Sequence, residues 1–425
     1  AGCATVENMV IYPHGAAARR PGTQYVASVK TPANKTRLIP FEFSTEQTYI
    51  LEFGNQYIRF YRNNGQIESS GSAYEISTPY LTAELFDIKF AQSADVMYIT
   101  HPNHQTRKLS RTGHTSWSLA AVEFTNGPFL DSNITTTTLT PSSHGVGTGV
   151  TVTASAVTGI NSGSGFLATD VGRQIRIGVG YGIITARTNT TVVTITITTA
   201  LTNSTANADW SLGAFSTTTG FPSCVSFFEQ RLVFAATISN PQTVYFSKSG
   251  DYESMDANIG GTIADDDAII YTIASNQVNA IRFLTSARTL IIGTAGGEFV
   301  VSGGGDNNAV TPTNIMIKKQ SNHGAANVDA ISVGNATLFL QRAKRKIREL
   351  AYNFDVDGYI APDLTILAEH ITEGNVVEMA YQEEPLAIIW CVRGDGQLIA
   401  LTYQREQEVV AWHRHIIGGV FGTGN

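Results

Sequence analysis

The chain has 425 residues, 42% of them hydrophobic and only 15% charged, with a net charge of −7. That length suits two or three domains, or one large repeat domain with an insertion. The acidic balance argues against a protein that grips DNA tightly, because counterion release needs clustered Lys and Arg, although a mildly acidic wall past which DNA slides stays compatible with it. The low charge also argues against long surface helices, while abundant Thr, Ser, Asn and Gly suits short strands and many turns. The three cysteines, Cys3, Cys224 and Cys391, are far apart and form no CxxC or Cys/His spacing. No structural zinc and no disulfide framework is expected, which fits folding in a reducing compartment. No signal peptide is visible, and no apolar run approaches the ~20 residues of a membrane helix.

From Ala1 to about Pro40 the chain reads as a lead-in. It has one strand at Val6 to Tyr12, a turn at Pro13-His14-Gly15, the pair Arg19-Arg20, and a second strand at Tyr25 to Val29. A repeated phrase then begins near Leu38 to Phe43: an apolar strand, a Gly, Asn or Asp turn, and a second apolar strand ending in an aromatic or charged residue. It covers Thr48 to Tyr61, Asp95 to Trp117, Phe227 to Tyr252, Ile281 to Val301, Ala330 to Leu350 and Met379 to Trp412. Such a unit cannot bury its own apolar face, so copies must pack on each other. The pattern predicts an all-β fold: a β-propeller-like platform of about six to seven blades. Helical periodicity is weak, with short helices expected only near Tyr80 to Phe86 and Pro362 to His370.

Between about Phe124 and Phe215 the phrase is interrupted. Arg173 to Ile177 and Thr191 to Thr198 alternate polar and apolar residues, and Gly145 to Thr153 alternates small and β-branched ones. Period two marks strands with one buried face. The expectation is a small inserted antiparallel β-sandwich or barrel, with Trp210 plugging one end. Three regions follow: 1–123, with lead-in strands and first blades; 124–215, the Thr-rich insertion; and 216–425, the remaining blades. In the last of these, strands are expected at Phe221-Pro222 onward, Arg231 to Ala235, Thr289 to Thr294, Glu298 to Ser302 and Thr337 to Gln341. The final hairpin pairs Leu386 to Val392 with Gln397 to Tyr403 across Arg393-Gly394-Asp395-Gly396, a strong turn signal. Gly418 to Gly422 reads like the beginning of another element, and a longer polypeptide is expected.

No motif stands out for chemistry. Asp265-Asp266-Asp267 is contiguous, whereas a calcium loop spaces its ligands at alternate positions, so a solvated loop is the expectation. Arg342, Lys344, Arg345, Lys346 and Arg348 form the only basic cluster; they are candidates for partner or DNA contact, or a charged hairpin edge that discourages strand pairing. Arg19 and Arg20 are candidates for the same role, on a turn that could face a neighbouring subunit. Gly296-Gly297 and Gly303-Gly304-Gly305 lack the Lys-Ser/Thr of a phosphate loop. Nine histidines occur. His101 and His104 flank Pro102-Asn103, and His413 and His415 would share one face of a strand, yet no third ligand is near in sequence. Exposed turn or strand-end histidines are expected. No catalytic residue, cofactor or metal site is assigned.

Longer phrases carry a resemblance. They are Glu7-Asn8, Arg19-Arg20-Pro21-Gly22-Thr23, Arg37 to Phe43, Tyr49 to Gly54, Asp87 to Tyr98, His101-Pro102 with Arg107-Lys108-Leu109, Phe228 to Ala235 and Ser249 to Tyr252. Together they resemble the nozzle (tail tubular B, or hub) proteins of short-tailed bacteriophages and related prophages. The resemblance spans most of the chain and is weakest in the insertion. It implies a structural virion protein in the tail, assembled in the host cytoplasm and not an enzyme. It implies a homo-oligomeric ring, a hexamer, below an adaptor ring and beside tail fibres or spikes, with double-stranded DNA passing non-specifically through the lumen. No membrane insertion is expected. The rival readings are a receptor- or glycan-binding propeller adhesin, suggested by the Thr-rich insertion, and a propeller glycosidase or lyase, which would need two facing carboxylates about 5–10 Å apart.

Overall fold

The computed structural model describes residues 3, 5–44, 47–274, 279–305 and 308–418. Its regular structure is nearly all strand, and most of its larger sheets repeat one plan. Six of them are antiparallel meanders of the propeller-blade type. Sheet one is built on Arg37–Ser44, Gln47–Gly54 and Tyr57–Arg62, the last pairing with both Gly65–Gln66 and Glu75–Ser77. Sheet two holds Lys89–Ser93, Val96–His101, His104–Gly113 and Ser116–Ala121; sheet three holds Cys224–Phe228, Arg231–Ala235, Thr243–Phe246 and Ile269–Thr272. Sheet four holds Ile281–Ser286, Leu290–Thr294, Gly297–Ser302 and Met316–Ser321. Sheet five holds Ile331–Val333, Ala336–Leu340, Ile347–Asn353 and Gly358–Ile360; sheet six holds Val376–Gln382, Ile388–Arg393, Leu398–Gln404 and Val409–His415.

The chain forms two compact units. One comprises Ala27–Ala274 and Gly303–Ile315; the other comprises Ala1–Val26, Ser275–Ser302 and Met316–Asn425. In the first unit, Ile39, Phe41, Leu51 and Phe60 of sheet one share a core with Met97, Ile99, Leu109 and Trp117 of sheet two. Trp117 stacks on Phe60 at 4.5 Å and meets Phe41 edge-on at 4.8 Å, geometries worth about 0.5–1.5 kcal/mol beyond burial. Tyr98 of sheet two packs with Val225, Leu232 and Tyr245 of sheet three. In the second unit, Phe283 and Ile291 of sheet four pack with Phe339 and Leu350 of sheet five. Leu338, Leu340 and Ile347 of sheet five in turn pack with Ile389, Cys391, Ile399 and Leu401 of sheet six. Within each unit, neighbouring sheets therefore bury apolar side chains on one another, as the repeated phrase requires.

The inserted region forms a six-stranded sheet in the order Leu139–Pro141, Gly147–Ala154, Val192–Thr199, Gly180–Arg187, Gln174–Ile177, Trp210–Leu212. Its two ends meet, because Leu139 and Asn207 exchange backbone hydrogen bonds of 2.9 Å in both directions. Between sandwich and barrel, this is a barrel. Trp210 is buried in its core, and its indole N–H donates to the Thr137 carbonyl at 2.9 Å. Gly180 faces the Ala200 carbonyl so closely that a Cβ there would sit 2.1 Å from the oxygen.

The second unit also contains a small N-terminal hairpin of Met9–Ile11 and Ala17–Arg19. It is latched to the last strand of sheet six: Asn8 N–H donates to Arg414 O at 2.8 Å, and Arg414 N–H donates to Val6 O at 3.0 Å.

Several expected elements differ. Tyr25 to Val29 belongs to no strand, and most of its side chains are exposed, so its apolar content marks no core face. The helix expected near Tyr80 is a short 3-10 helix, Thr82–Asp87. Pro362 to His370 forms turns, because the Asp363 carboxylate takes the Thr365 N–H at 2.8 Å and its hydroxyl at 2.5 Å, competing with helix formation. Phe221-Pro222 precedes the strand, which begins at Cys224. The continuation expected at residues 419–422 lies outside the described residues.

Candidate functional site

Four groups of polar side chains, all among the described residues, include the positions singled out in the sequence. The basic cluster occupies the turn joining Ala336–Leu340 to Ile347–Asn353. Gln341 N–H donates to Lys346 O at 2.8 Å, Lys344 N–H donates to Gln341 O at 2.7 Å, and Lys344 has a positive φ of 61°. That tight turn divides the cluster. Lys346 turns to Asp363 (2.9 Å) and Glu369 (3.4 Å), which raise its pKa. Arg348 donates to Gln341 Oε1 at 2.8 Å and to Ala361 O at 2.6 Å. Arg342 and Arg345 are exposed and Lys344 is half-exposed; none of the three has an ion pair among the described residues. Arg19 is exposed on the N-terminal hairpin, while Arg20 is half-buried and donates to Ile416 O and Pro21 O, both at 3.3 Å. No hydrogen bond or ion pair among the described residues joins Arg19 or Arg20 to the 342–348 turn.

The acidic run serves an internal cation. Arg231 reaches in to donate to Asp265 O (2.6 Å), Asp267 O (2.7 Å) and Ser247 O (2.8 Å). The solvated-loop expectation holds for Asp265 and Asp266 only. Asp267 is buried, because its carboxylate accepts from Ala264 N–H at 2.8 Å and pairs with Lys248 at 3.2 Å. Burial would raise its pKa, but those partners win and lower it.

The expectation of exposed histidines is overturned at three positions. His413 and His415 do share one strand face, and that face is buried. The hydroxyl of Thr402 donates to Ile11 O at 3.0 Å, so its oxygen accepts from His413 Nε2 at 3.1 Å, and His413 Nδ1 meets His415 Nε2 at 2.7 Å. Burial pushes His413 down to about 3, helped by its partner ring, and His415 down to about 4, helped by Arg20. Both rings are neutral links in a buried chain.

His101 is the third buried histidine, at 1% exposure, and His104 is half-buried. They lie at the turn between the second and third strands of sheet two. Glu84, on the short helix Thr82–Asp87, comes to meet them: its Oε2 lies 2.9 Å from His104 Nε2. One ring nitrogen of each histidine and one Glu84 carboxylate oxygen all lie within 4.8 Å of one another. Asn103 N–H donates to His101 Nδ1 at 3.1 Å, and His101 Nε2 has no partner. Burial lowers the His101 pKa, with His104 adding to the effect. Sequence reasoning weighed the two histidines and missed Glu84, since nothing in the sequence ties a carboxylate so far upstream to this turn.

No family model matches the chain, and no curated relative does. Solved structures that it resembles include Hsv2p of Kluyveromyces lactis, at 7% identity and a TM-score of 0.34, covering 86% of this chain and 93% of that one. The WD40 domain of Neurospora crassa Pan2 gives 10% identity and 0.32, covering 77% of each chain, and a Lactobacillus plantarum protein gives 9% and 0.36, covering 89% and 82%. Scores this low carry no argument about function, and the blade-like plan rests on the strand pairing itself.

Proposed function

We propose that this chain is a structural, ring-forming subunit of a phage tail, of the nozzle type, and that it performs no chemistry of its own. The observation that carries the reading is a run of exposed apolar side chains along one stretch of sheet five and the turns after it. Tyr352, Val356, Ile360 and Ile366 are exposed, Phe354 is 87% exposed and Leu367 95%. Large apolar side chains exposed this closely together in sequence favour contact with another protein. The low charge content fits a subunit whose surface faces copies of itself, and the resemblance of Arg37 to Phe43 and Phe228 to Ala235 supports the tail assignment. In a cyclic ring one face of each subunit meets a different face of the next. DNA would pass such a lumen without sequence readout, met only by scattered cations such as Arg342 and Arg345. Light scattering and electron microscopy of the purified chain test this. Closed rings are expected, and Leu367→Asp with Phe354→Asp should yield monomers. A wild-type chain that stays monomeric at high concentration overturns the proposal.

A second reading, a glycan-binding tail adhesin, has one observation in its favour. A polar cleft of about 510 Å³ beside the barrel is lined by Asp131, Asn133, Asn161, Thr218 and Asn240. The Asn133 and Asn161 amides are committed to internal hydrogen bonds, which leaves the Asp131 carboxylate and the Asn240 amide to meet sugar hydroxyls. A glycan array gives hits weakened by Asp131→Ala if this reading holds, and none if it fails.

A further inference from the structure

We propose that Glu84, His101 and His104 bind a divalent transition-metal ion of the zinc type. Two imidazoles and one carboxylate are a donor set that such ions take, with a remaining position left for water or a further ligand. The ligand atoms are already gathered within 4.8 Å of one another, so little rearrangement is needed. A second observation points the same way. Tyr80 is fully buried, its ring lies 6.1 Å from that of His101 and 5.3 Å from that of His104, and its hydroxyl has no hydrogen-bond partner. His101 Nε2 is also buried without a partner. Buried polar atoms are nearly always satisfied, and two orphans against one three-ligand cluster call for an explanation.

In the metal-free geometry, hydrogens occupy the places of the ion. One joins His104 Nε2 to Glu84 Oε2, and the Asn103 N–H sits on His101 Nδ1. An ion ligated by His101 Nδ1 displaces the Asn103 hydrogen directly. An ion ligated by Nε2 requires the proton on Nδ1, which turns the same N–H away. Binding by either nitrogen therefore releases the Asn103 amide to solvent. The ion would tie the helix Thr82–Asp87, which follows sheet one, to the turn of sheet two, in the manner of a structural staple.

The test uses the whole protein, stripped with a chelator and titrated with Zn²⁺ by calorimetry, with Co²⁺ absorption as a spectroscopic check. The expected result is one equivalent bound, with affinity weakened at least tenfold in His104→Ala and Glu84→Gln and unchanged in His413→Ala. Hydrogen exchange in the peptide containing Asn103 should quicken when Zn²⁺ is added. Glu84→Gln keeps an acceptor for His104, so it reports on charge and ligation in a folded protein even if His104→Ala does not fold. Absence of stoichiometric binding by the wild type overturns the proposal. So does binding that survives both Glu84→Gln and His104→Ala, or that is lost equally in His413→Ala.

Discussion

The barrel and the blade-like sheets bury the same kinds of side chain and reach stability differently. The barrel closes on itself: its ends join at Leu139 and Asn207, and Leu139, Ile175, Ile195, Trp210 and their neighbours form a core that belongs to it alone. Among the described residues, neighbouring sheets share their cores. Leu340 of sheet five, for example, shares its buried cluster with Ile389 and Leu401 of sheet six. The barrel region also holds a fully buried ion pair. Arg173 and Asp170 are both wholly inaccessible and 2.8 Å apart, and Asn161 and the Gly213 carbonyl satisfy further Arg173 donors. A closed sheet can be damaged in place, whereas damage to a shared core should spread to two sheets.

The largest effect that would break this contrast is at that pair. Asp170→Ala leaves a buried guanidinium without its charge partner and should cost about 3–5 kcal/mol. Hydrogen exchange should show protection lost across 139–212 with the sheets intact; loss in sheet one or two would refute the barrel's independence. Next comes Leu340→Ala, expected to cost about 2–5 kcal/mol and to loosen sheets five and six together. Confinement to sheet five would show that the cores are not shared. A third test concerns acid. His413 and His415 stay neutral in the folded state down to about 3 and 4, whereas in the unfolded chain they take up protons below about 6.5. Stability should therefore be full above that value and fall as pH drops through the window, by up to about 1.4 kcal/mol per pH unit for each ring. Replacing both rings with Asn and Gln should flatten the slope of sheet six unfolding and leave the barrel's unchanged. The smallest effect is at Phe354→Asp, which should alter stability by less than about 0.5 kcal/mol while still weakening self-association.

How much of this was readable beforehand follows from how local each signal is. The hairpin across Arg393 to Gly396 was legible because its turn residues are adjacent: Gly396 adopts φ +87°, and Arg393 pairs with Asp395 at 2.5 Å. The alternation in Val192 to Ile197 gave strands for the same reason. Barrel closure was not legible, since it depends on one residue pair, Leu139 and Asn207, far apart in the chain. The histidines were misread because a His-Pro-Asn-His turn looks solvent-facing. Only the packing of Tyr80 and the approach of Glu84 enclose it, and neither is encoded nearby.

The latch between the N-terminal hairpin and sheet six has a temporal consequence. Arg414 receives Asn8 and donates to Val6, and Glu7 pairs with its guanidinium at 3.0 Å. The Val6 to Asn8 segment cannot find its seat until a ribosome has delivered about four hundred further residues. Until then it travels with an unclaimed edge, while the other unit, Ala27–Ala274 with Gly303–Ile315, is already complete. Seating of the hairpin is therefore gated by translation of the strand Val409–His415, and a product stalled before that strand would carry the hairpin unfastened.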